Sequence, residues 1–231
     1  MTSLLLLNGS PRGPRSNSMK MLSRVAEGWV SDESGGAGTV EVLHLSHQAD
    51  LARAIEGFGQ ADVVLLGMPL YTDSMPALVK AYVESLAPYV GRLGNPRLGF
   101  LVQSGFSEAL HSRPLERYLE KLAGRLGCAY AGTIVRGGGE ALQAMPEEAS
   151  RRLWERLREL GRSLAVDGRF DPGLLAAVAR TERFSAARAA AMKVALKIPL
   201  AQFYWNGQLK RNGAWDRRFA TPYVERSARQ V

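Results

Sequence analysis

The loop that follows the apolar run at residues 4–7 carries three hydroxyls, two side-chain amides and two arginines, in the stretch NGSPRGPRSNS at residues 8–18. A helical pattern begins directly after it, and the N-terminus of a helix offers free N–H groups and a positive dipole end to an anion. Arg12 or Arg15 would add a full positive charge. The candidate phosphate ligands among the uncharged side chains are Ser10, Ser16, Asn17 and Ser18.

The loop also has a purely structural interpretation. Ser16–Ser18 would then only cap the helix, and the glycines and prolines would only shape the turn. The spacing fits neither the Walker A pattern nor the G-x-G-x-x-G pattern. A cap needs one such residue and this loop has several, which favours a bound phosphate.

Apolar runs and helical patterns alternate along the chain and would hold this loop in place. The five predicted strands are Ser3–Leu7, Val40–Leu45, Asp62–Gly67, Leu98–Gln103 and Cys128–Val135. A run that is apolar on both faces, such as the first, is typical of a parallel sheet covered on both sides. Alternation of five strands with five helices predicts a doubly wound α/β domain. We expect this domain to span residues 1–168, followed by a basic, mainly helical extension over residues 169–231.

Ligands of such sheets bind outside the carboxyl ends of the strands, so the loops after strands one, three and four deserve comparison with known proteins. The first loop resembles that of the flavodoxin-like NAD(P)H-dependent FMN reductases. The stretch GMPLYTDSMPALVKAYVE at residues 67–84 resembles the P-L-Y-x-D-x-M-P-A segment of that family. VQSGFSE at residues 102–108 resembles its glycine-containing loop after strand four.

The resemblance implies a flavodoxin-like fold, bound FMN and NAD(P)H as the co-substrate. It implies phosphate contacts from Ser10, Arg12, Ser16, Asn17 and Ser18, with Arg12 fitting the family's S-P-R pattern better than Arg15. The implied contacts to the flavin ring are Pro69, Leu70, Tyr71, Asp73, Ser74 and Met75 in the second loop, and Ser104, Gly105 and Phe106 in the third. Alternatively, Tyr71 and Phe106 serve packing, and Pro69 and Gly105 only shape turns.

The implied activity is hydride transfer from NAD(P)H through the flavin to a small acceptor such as a quinone. A flavin carries such chemistry itself, so no catalytic side chain is required, and no metal ligands are expected. We expect backbone N–H groups of the 70–75 loop to stabilise the negative edge of the reduced flavin. The iron–sulfur branch of the family needs a cysteine cluster, and this chain has one cysteine, Cys128, which we expect in the core.

A flavodoxin-like electron carrier or sensor is the alternative function. Such carriers usually have an S/T-x-T-G-x-T loop and an acidic surface, whereas this chain has neither and a net charge of +8. No apolar stretch approaches the roughly 20 residues that span a bilayer. With one cysteine and no export signal, the chain is expected in the cytoplasm.

The positive charge is concentrated at the end of the chain, where residues 171–231 carry 11 Lys/Arg and 4 Asp/Glu. Six aromatic residues are interleaved with these cations: Phe203, Tyr204, Trp205, Trp215, Phe219 and Tyr223. Such interleaving suits nucleic acid or a membrane surface. We favour the alternative that the aromatics pack onto the body or across a homodimer interface, because family members commonly dimerise around the flavin.

Overall fold

The computed structural model describes residues 2–30, 38–143, 145–179, 181–195 and 203–221. The chain divides into two compact units, Met1–Arg183 and Phe184–Val231. The sequence places the boundary earlier, between residues 168 and 169, whereas the helix Pro172–Ala179 belongs to the first unit. The stretch at residues 31–39 is rich in glycine and serine, as a loop would be, and residues 31–37 of it lie outside the described residues.

The first unit contains one sheet of five parallel strands. These are β1 Ser3–Asn8, β2 Thr39–His44, β3 Val63–Pro69, β4 Arg97–Gln103 and β5 Tyr130–Arg136, in the spatial order β2-β1-β3-β4-β5. The predicted fold class is confirmed, and each predicted strand is found within two residues of its expected start. The strand order reverses at β1, which lies between β2 and β3. A crevice therefore opens at the carboxyl ends of β1 and β3.

Helices cover both faces of the sheet, as a parallel sheet requires. The helices of the first unit are α1 Asn17–Val30, α2 Gln48–Phe58, α3 Ala77–Ser85, α4 Arg113–Leu126, α5 Arg151–Asp167 and α6 Pro172–Ala179. Side chains of α2, α3 and α4 form one core, which includes Phe58, Tyr82 and Leu119. Side chains of α1, α5 and α6 form the other, which includes Trp29 and Leu157.

The contact between α1 and α5 fixes where the first loop enters its helix. Gly28 and Gly161 allow the two backbones to approach: a Cβ on Gly28 would lie 1.9 Å from the carbonyl oxygen of Arg158, and one on Gly161 would lie 2.0 Å from that of Val25. No side chain fits in such a space without a backbone shift. The position of the N-terminus of α1 is therefore set by close packing behind it.

The second unit contains α7 Ala186–Ala195 and α8 Phe203–Arg211. The described part of the extension is mainly helical, as expected. Asn-Gly dipeptides favour turns, but Asn206-Gly207 lies inside α8. Asn212-Gly213 does form a turn, where Gly213 has φ +62°.

Among the described helices, none combines the length and the apolar character that crossing a bilayer requires. Cys128 is buried, as predicted, and lies just before the edge strand β5. Burial raises the pKa of its thiol to about 11. The thiol is therefore protonated near neutral pH and is a poor nucleophile.

Candidate functional site

One cleft lies at the carboxyl ends of β1, β3, β4 and β5, at the edge that the strand order predicts. Eight of the fourteen predicted site residues line it: Ser10, Arg12, Asn17, Pro69, Leu70, Tyr71, Ser104 and Gly105. Gln103 and Glu140 complete the lining. These eight residues meet in one place, although they come from three separate segments, whereas Ser16, Ser18, Asp73, Ser74, Met75 and Phe106 do not line the cleft.

Asn8, the last residue of β1, holds the first loop in shape. Its side chain is fully buried. The amide oxygen accepts from the Ser10 N–H at 3.1 Å and from the Ser16 hydroxyl at 3.4 Å, and the amide nitrogen donates to the Gly13 carbonyl at 2.8 Å. Gly13 has φ +58°, a conformation that glycine adopts without strain. The sequence analysis did not assign a role to Asn8.

The start of α1 forms one end of the cleft. The Ser16 hydroxyl accepts from the Met19 N–H at 3.1 Å, so Ser16 does cap the helix, as the structural interpretation expected. Asn17 donates from its side-chain nitrogen to the Gly139 carbonyl at 2.8 Å. The side-chain oxygens of Asn17 and Ser18 are buried and have no partner among the described residues. Buried polar atoms without partners are rare and are expected where a ligand completes the site.

The two arginines of the first loop differ in their position relative to the cleft. Arg12 lines the cleft, and its guanidinium makes an ion pair with Glu140 from the loop after β5, at 3.3 Å. Arg15 does not line the cleft; it lines a neighbouring surface depression together with Arg12, Pro14 and Lys20. The choice of Arg12 over Arg15 as the cation of the site stays a prediction.

The loop after β3 forms the second wall. Tyr71 and Ser74 bond to each other through both backbone pairs, N–H of Tyr71 to O of Ser74 at 2.9 Å and the reverse at 3.1 Å. The two residues between them, Thr72 and Asp73, have φ +48° and +63°. Non-glycine residues at positive φ cost about 1–3 kcal/mol each and concentrate at functional sites. This tight turn holds its shape against that strain.

Few N–H groups of this loop remain available to a ligand. The Leu70 N–H donates to the Gln103 carbonyl at 2.8 Å, and those of Tyr71 and Ser74 are used within the turn. The N–H groups of Thr72 and Asp73 have no acceptor among the described residues, so they are the remaining donors at the tip of the turn. Asp73 and Ser74 are exposed and Met75 is half-buried against the core.

The loop after β4 forms the third wall and is tied to the loop after β5. The Ser104 N–H donates to the Arg136 carbonyl at 3.0 Å, and the Ser104 carbonyl accepts from the Gly139 N–H at 2.7 Å. The Ser104 hydroxyl donates to the Phe106 carbonyl at 3.2 Å. Gly105 is exposed. The Phe106 ring is 53% exposed and stacks on His111, with 4.4 Å between ring centroids.

The described residues contain no group of three or more His, Cys, Asp or Glu side chains placed to hold a metal ion. Four participants were missed at the sequence level: Asn8, Gln103, Gly139 and Glu140. The run Gly137-Gly138-Gly139-Glu140 follows β5 at the same sheet edge, but a glycine run is common in loops and does not by itself indicate a site. Its role depends on contacts with the first loop, more than 100 residues away, which the sequence pattern does not show.

The aromatic residues of the second unit are largely at its surface. Phe203, Trp205 and Phe219 are exposed. Arg218 lies 4.0 Å from the ring centroid of Trp215 and 4.8 Å from that of Phe219. Tyr223 and the side chain of Tyr204 lie outside the description. Packing of these aromatics across a homodimer interface stays a prediction.

The sequence profile of a family described as flavodoxin-like fold matches residues 2–160. None of the curated proteins compared with the chain matches it. Among solved structures, an FMN-dependent NADH-azoreductase from Bacillus anthracis str. Ames Ancestor in complex with FMN is 17% identical, with TM-score 0.54, over 71% of this chain and 100% of its own. An NAD(P)H:quinone oxidoreductase from Methanothermobacter marburgensis is 20% identical, with TM-score 0.52, over 70% of this chain and 95% of its own. At such identities, the likeness shows the shared fold.

Proposed function

The chain belongs to the flavodoxin-like fold family, and from this premise we propose that it is an FMN-dependent oxidoreductase that passes hydride from NAD(P)H to a small acceptor. One observation carries the proposal. The cleft at the strand-order reversal joins a helix N-terminus and a cation, through Ser10, Arg12 and Asn17, to the backbone of two loops on the other side. A flavin mononucleotide needs that combination, a phosphate site continuous with a place for a flat ring.

The phosphate end would be held by the first loop, through Ser10, Arg12, Ser16, Asn17 and Ser18. Arg12 is the cation in reach, while the Ser16 hydroxyl is already engaged in capping α1. The side-chain nitrogen of Asn17 donates one hydrogen to the Gly139 carbonyl. The side-chain oxygen has no partner among the described residues and can only accept a hydrogen bond. That oxygen suits a hydroxyl of the ribityl chain better than it suits a phosphate.

The ring end would be formed by the loops after β3 and β4. The contacts proposed there are Pro69, Leu70, Tyr71, Asp73, Ser74, Met75, Ser104, Gly105 and Phe106. The N–H groups of Thr72 and Asp73, which have no protein acceptor among the described residues, would stabilise negative charge at the edge of the reduced ring. Bound FMN supplies the hydride-accepting chemistry, and the protein residues bind it, orient it and leave one ring face open to NAD(P)H and the acceptor.

The phosphate role is tested by comparing Arg12→Gln with its matched control Arg15→Gln. Loss of one charge-assisted hydrogen bond of about 1.5–3 kcal/mol weakens binding about tenfold to hundredfold. We expect this loss for FMN with Arg12→Gln, little change with Arg15→Gln, and little change in riboflavin binding by either. Equal FMN affinity in the wild type and Arg12→Gln would refute the phosphate role of Arg12.

The name of each compared enzyme supports a different acceptor: azo compounds for one and quinones for the other. We propose a quinone as the acceptor class for this chain, and a cytoplasmic homodimer as its state. Analytical ultracentrifugation of the FMN-loaded protein tests the dimer.

The alternative function is an FMN carrier or sensor with slow NAD(P)H oxidation. A second alternative is a nucleic-acid or membrane-surface binder that uses the exposed aromatics and arginines of the second unit.

A further inference from the structure

The side chain of Asn8 uses all of its hydrogen-bonding capacity, and its fourth partner is His44 on β2. The amide nitrogen of Asn8 lies 3.1 Å from Nδ1 of His44, in addition to the three contacts described above. Asn8 and His44 are register partners on the adjacent parallel strands β1 and β2. The phosphate loop is thus connected through one buried amide to a titratable ring.

The other partners of Asn8 fix the direction of this bond. The Ser10 N–H can only donate and the Gly13 carbonyl can only accept, so the amide oxygen faces Ser10 and the amide nitrogen faces Gly13. The nitrogen therefore also faces His44 and donates to it. Nδ1 of His44 must accept, which requires a neutral ring with its proton on Nε2.

We propose that His44 is a positioning residue of the phosphate site, acting through Asn8, and that protonation of His44 weakens the binding of FMN in mild acid. The inference rests on the proposed function. When Nδ1 carries a proton, two donors face each other. Either the Asn8 amide loses a buried bond, or it rotates and turns its oxygen toward the Gly13 carbonyl and its nitrogen toward the Ser10 N–H. Both outcomes disturb the loop that presents Ser10 and Ser16.

The groups around His44 shift its pKa in opposite directions. His47 lies with its ring centroid 5.4 Å from that of His44. Asp50 accepts from the His44 backbone N–H at 2.9 Å and lies 3.6 Å from both His47 and Arg53. Burial lowers the pKa of His44 below its ordinary value and His47 lowers it further, whereas Asp50 raises it. The net direction agrees with the neutral ring that Asn8 requires.

One force opposes the proposal, because a cationic His44 would attract an anionic phosphate. Because Asn8 is fully buried, water does not replace the lost hydrogen bond, and we expect this loss to outweigh the attraction. The sign of the pH effect on binding therefore decides between the two forces.

The experiment measures the dissociation constant of FMN from pH 8 to pH 5.5 for the wild type and three variants. His44→Asn retains an acceptor oxygen near the place of Nδ1 and does not titrate. His44→Leu removes the acceptor at every pH. His47→Gln retains His44 and removes the neighbouring charge. Because the FMN phosphate itself titrates, the wild type is compared with His44→Asn at each pH.

We expect the ratio of the wild-type affinity for FMN to that of His44→Asn to fall with pH. Below the pKa of His44 the fall is up to about tenfold per pH unit, because one proton is linked to the loss of binding. His44→Leu should bind weakly at all pH values. His47→Gln should retain the acid loss and show it from a higher pH. Identical pH dependence in the wild type and His44→Asn, or tighter wild-type binding in acid, would overturn the proposal.

A second measurement separates this inference from the proposed function. If neither the wild type nor any variant binds FMN at pH 8, the proposed function fails. The state of His44 is then read by nitrogen NMR of the FMN-free protein, with inorganic phosphate added as the probe. A ring protonated on Nε2 at pH 8, together with Asn8 amide signals that shift at the midpoint of His44, supports the positioning role. A proton on Nδ1, or Asn8 signals that ignore the titration, overturns it.

Discussion

Replacing Asn8 by alanine tests whether one buried amide determines the shape of the phosphate loop. The change removes four hydrogen-bond partners at once. The Ser10 N–H, a backbone group of a buried residue, loses its partner, whereas the Gly13 carbonyl still accepts from the Ser16 N–H at 3.1 Å. A buried polar group left without a partner costs about 1–3 kcal/mol, so we predict a loss of about 1–3 kcal/mol in the free energy of unfolding.

The assay is urea unfolding of the FMN-free protein, followed by circular dichroism, with the midpoint and slope both fitted. Asn212→Ala, at an exposed turn of the second unit, is the control and should change the free energy of unfolding by less than about 0.5 kcal/mol. Asn8→Asp provides an intermediate case, since a carboxylate still accepts from Ser10 and Ser16 but cannot donate to Gly13. A loss below about 1 kcal/mol for Asn8→Ala would refute the reasoning, because it would mean that water or a rearranged loop replaces the amide.

Three further predictions concern the ion pair, the helix contact and the strained turn. Glu140→Gln releases Arg12 for the phosphate and should tighten FMN binding by up to about fivefold in titration calorimetry, in line with a half-exposed pair worth up to about 1 kcal/mol. Gly161→Ala should lower the free energy of unfolding by about 3 kcal/mol, since its Cβ would lie 2.0 Å from a backbone oxygen. The control Gly124→Ala in α4 meets nothing within 4 Å and should raise the free energy of unfolding by up to about 1 kcal/mol. Thr72→Gly removes the strain of φ +48° and should raise the midpoint of thermal unfolding, by an amount equivalent to about 1 kcal/mol, while loosening the bound ring.

Much of the fold was predictable because its signals are local. The continuous apolar runs of β1 and β3 indicate strands buried on both faces, and the leucine spacing of α4 indicates a helix with one buried face. The helix α8 was not predictable in this way. Asn206-Gly207 favours a turn by intrinsic propensity, and such propensities are weak where neighbouring residues favour a helix.

The candidate site likewise has one part that the sequence predicts and another part that it does not. The loops after β1, β3 and β4 were selected because the carboxyl ends of parallel strands share one edge of a sheet. The pair Asn8–His44 was missed because it depends on the register of β1 against β2, which the sequence does not state. The Arg12–Glu140 pair joins residues 128 positions apart and likewise emerges only from the folded chain.

The central claim is that the cleft binds FMN and uses it to oxidise NAD(P)H. The most direct test is to load the purified protein with FMN, mix it anaerobically with NADPH and separately with NADH, and follow the yellow absorption band of the flavin. The proposed oxidoreductase predicts rapid bleaching by at least one of the two donors, followed by recovery of the band when a quinone is added. A bound flavin that stays yellow with both donors would contradict the claim and favour the electron carrier or sensor.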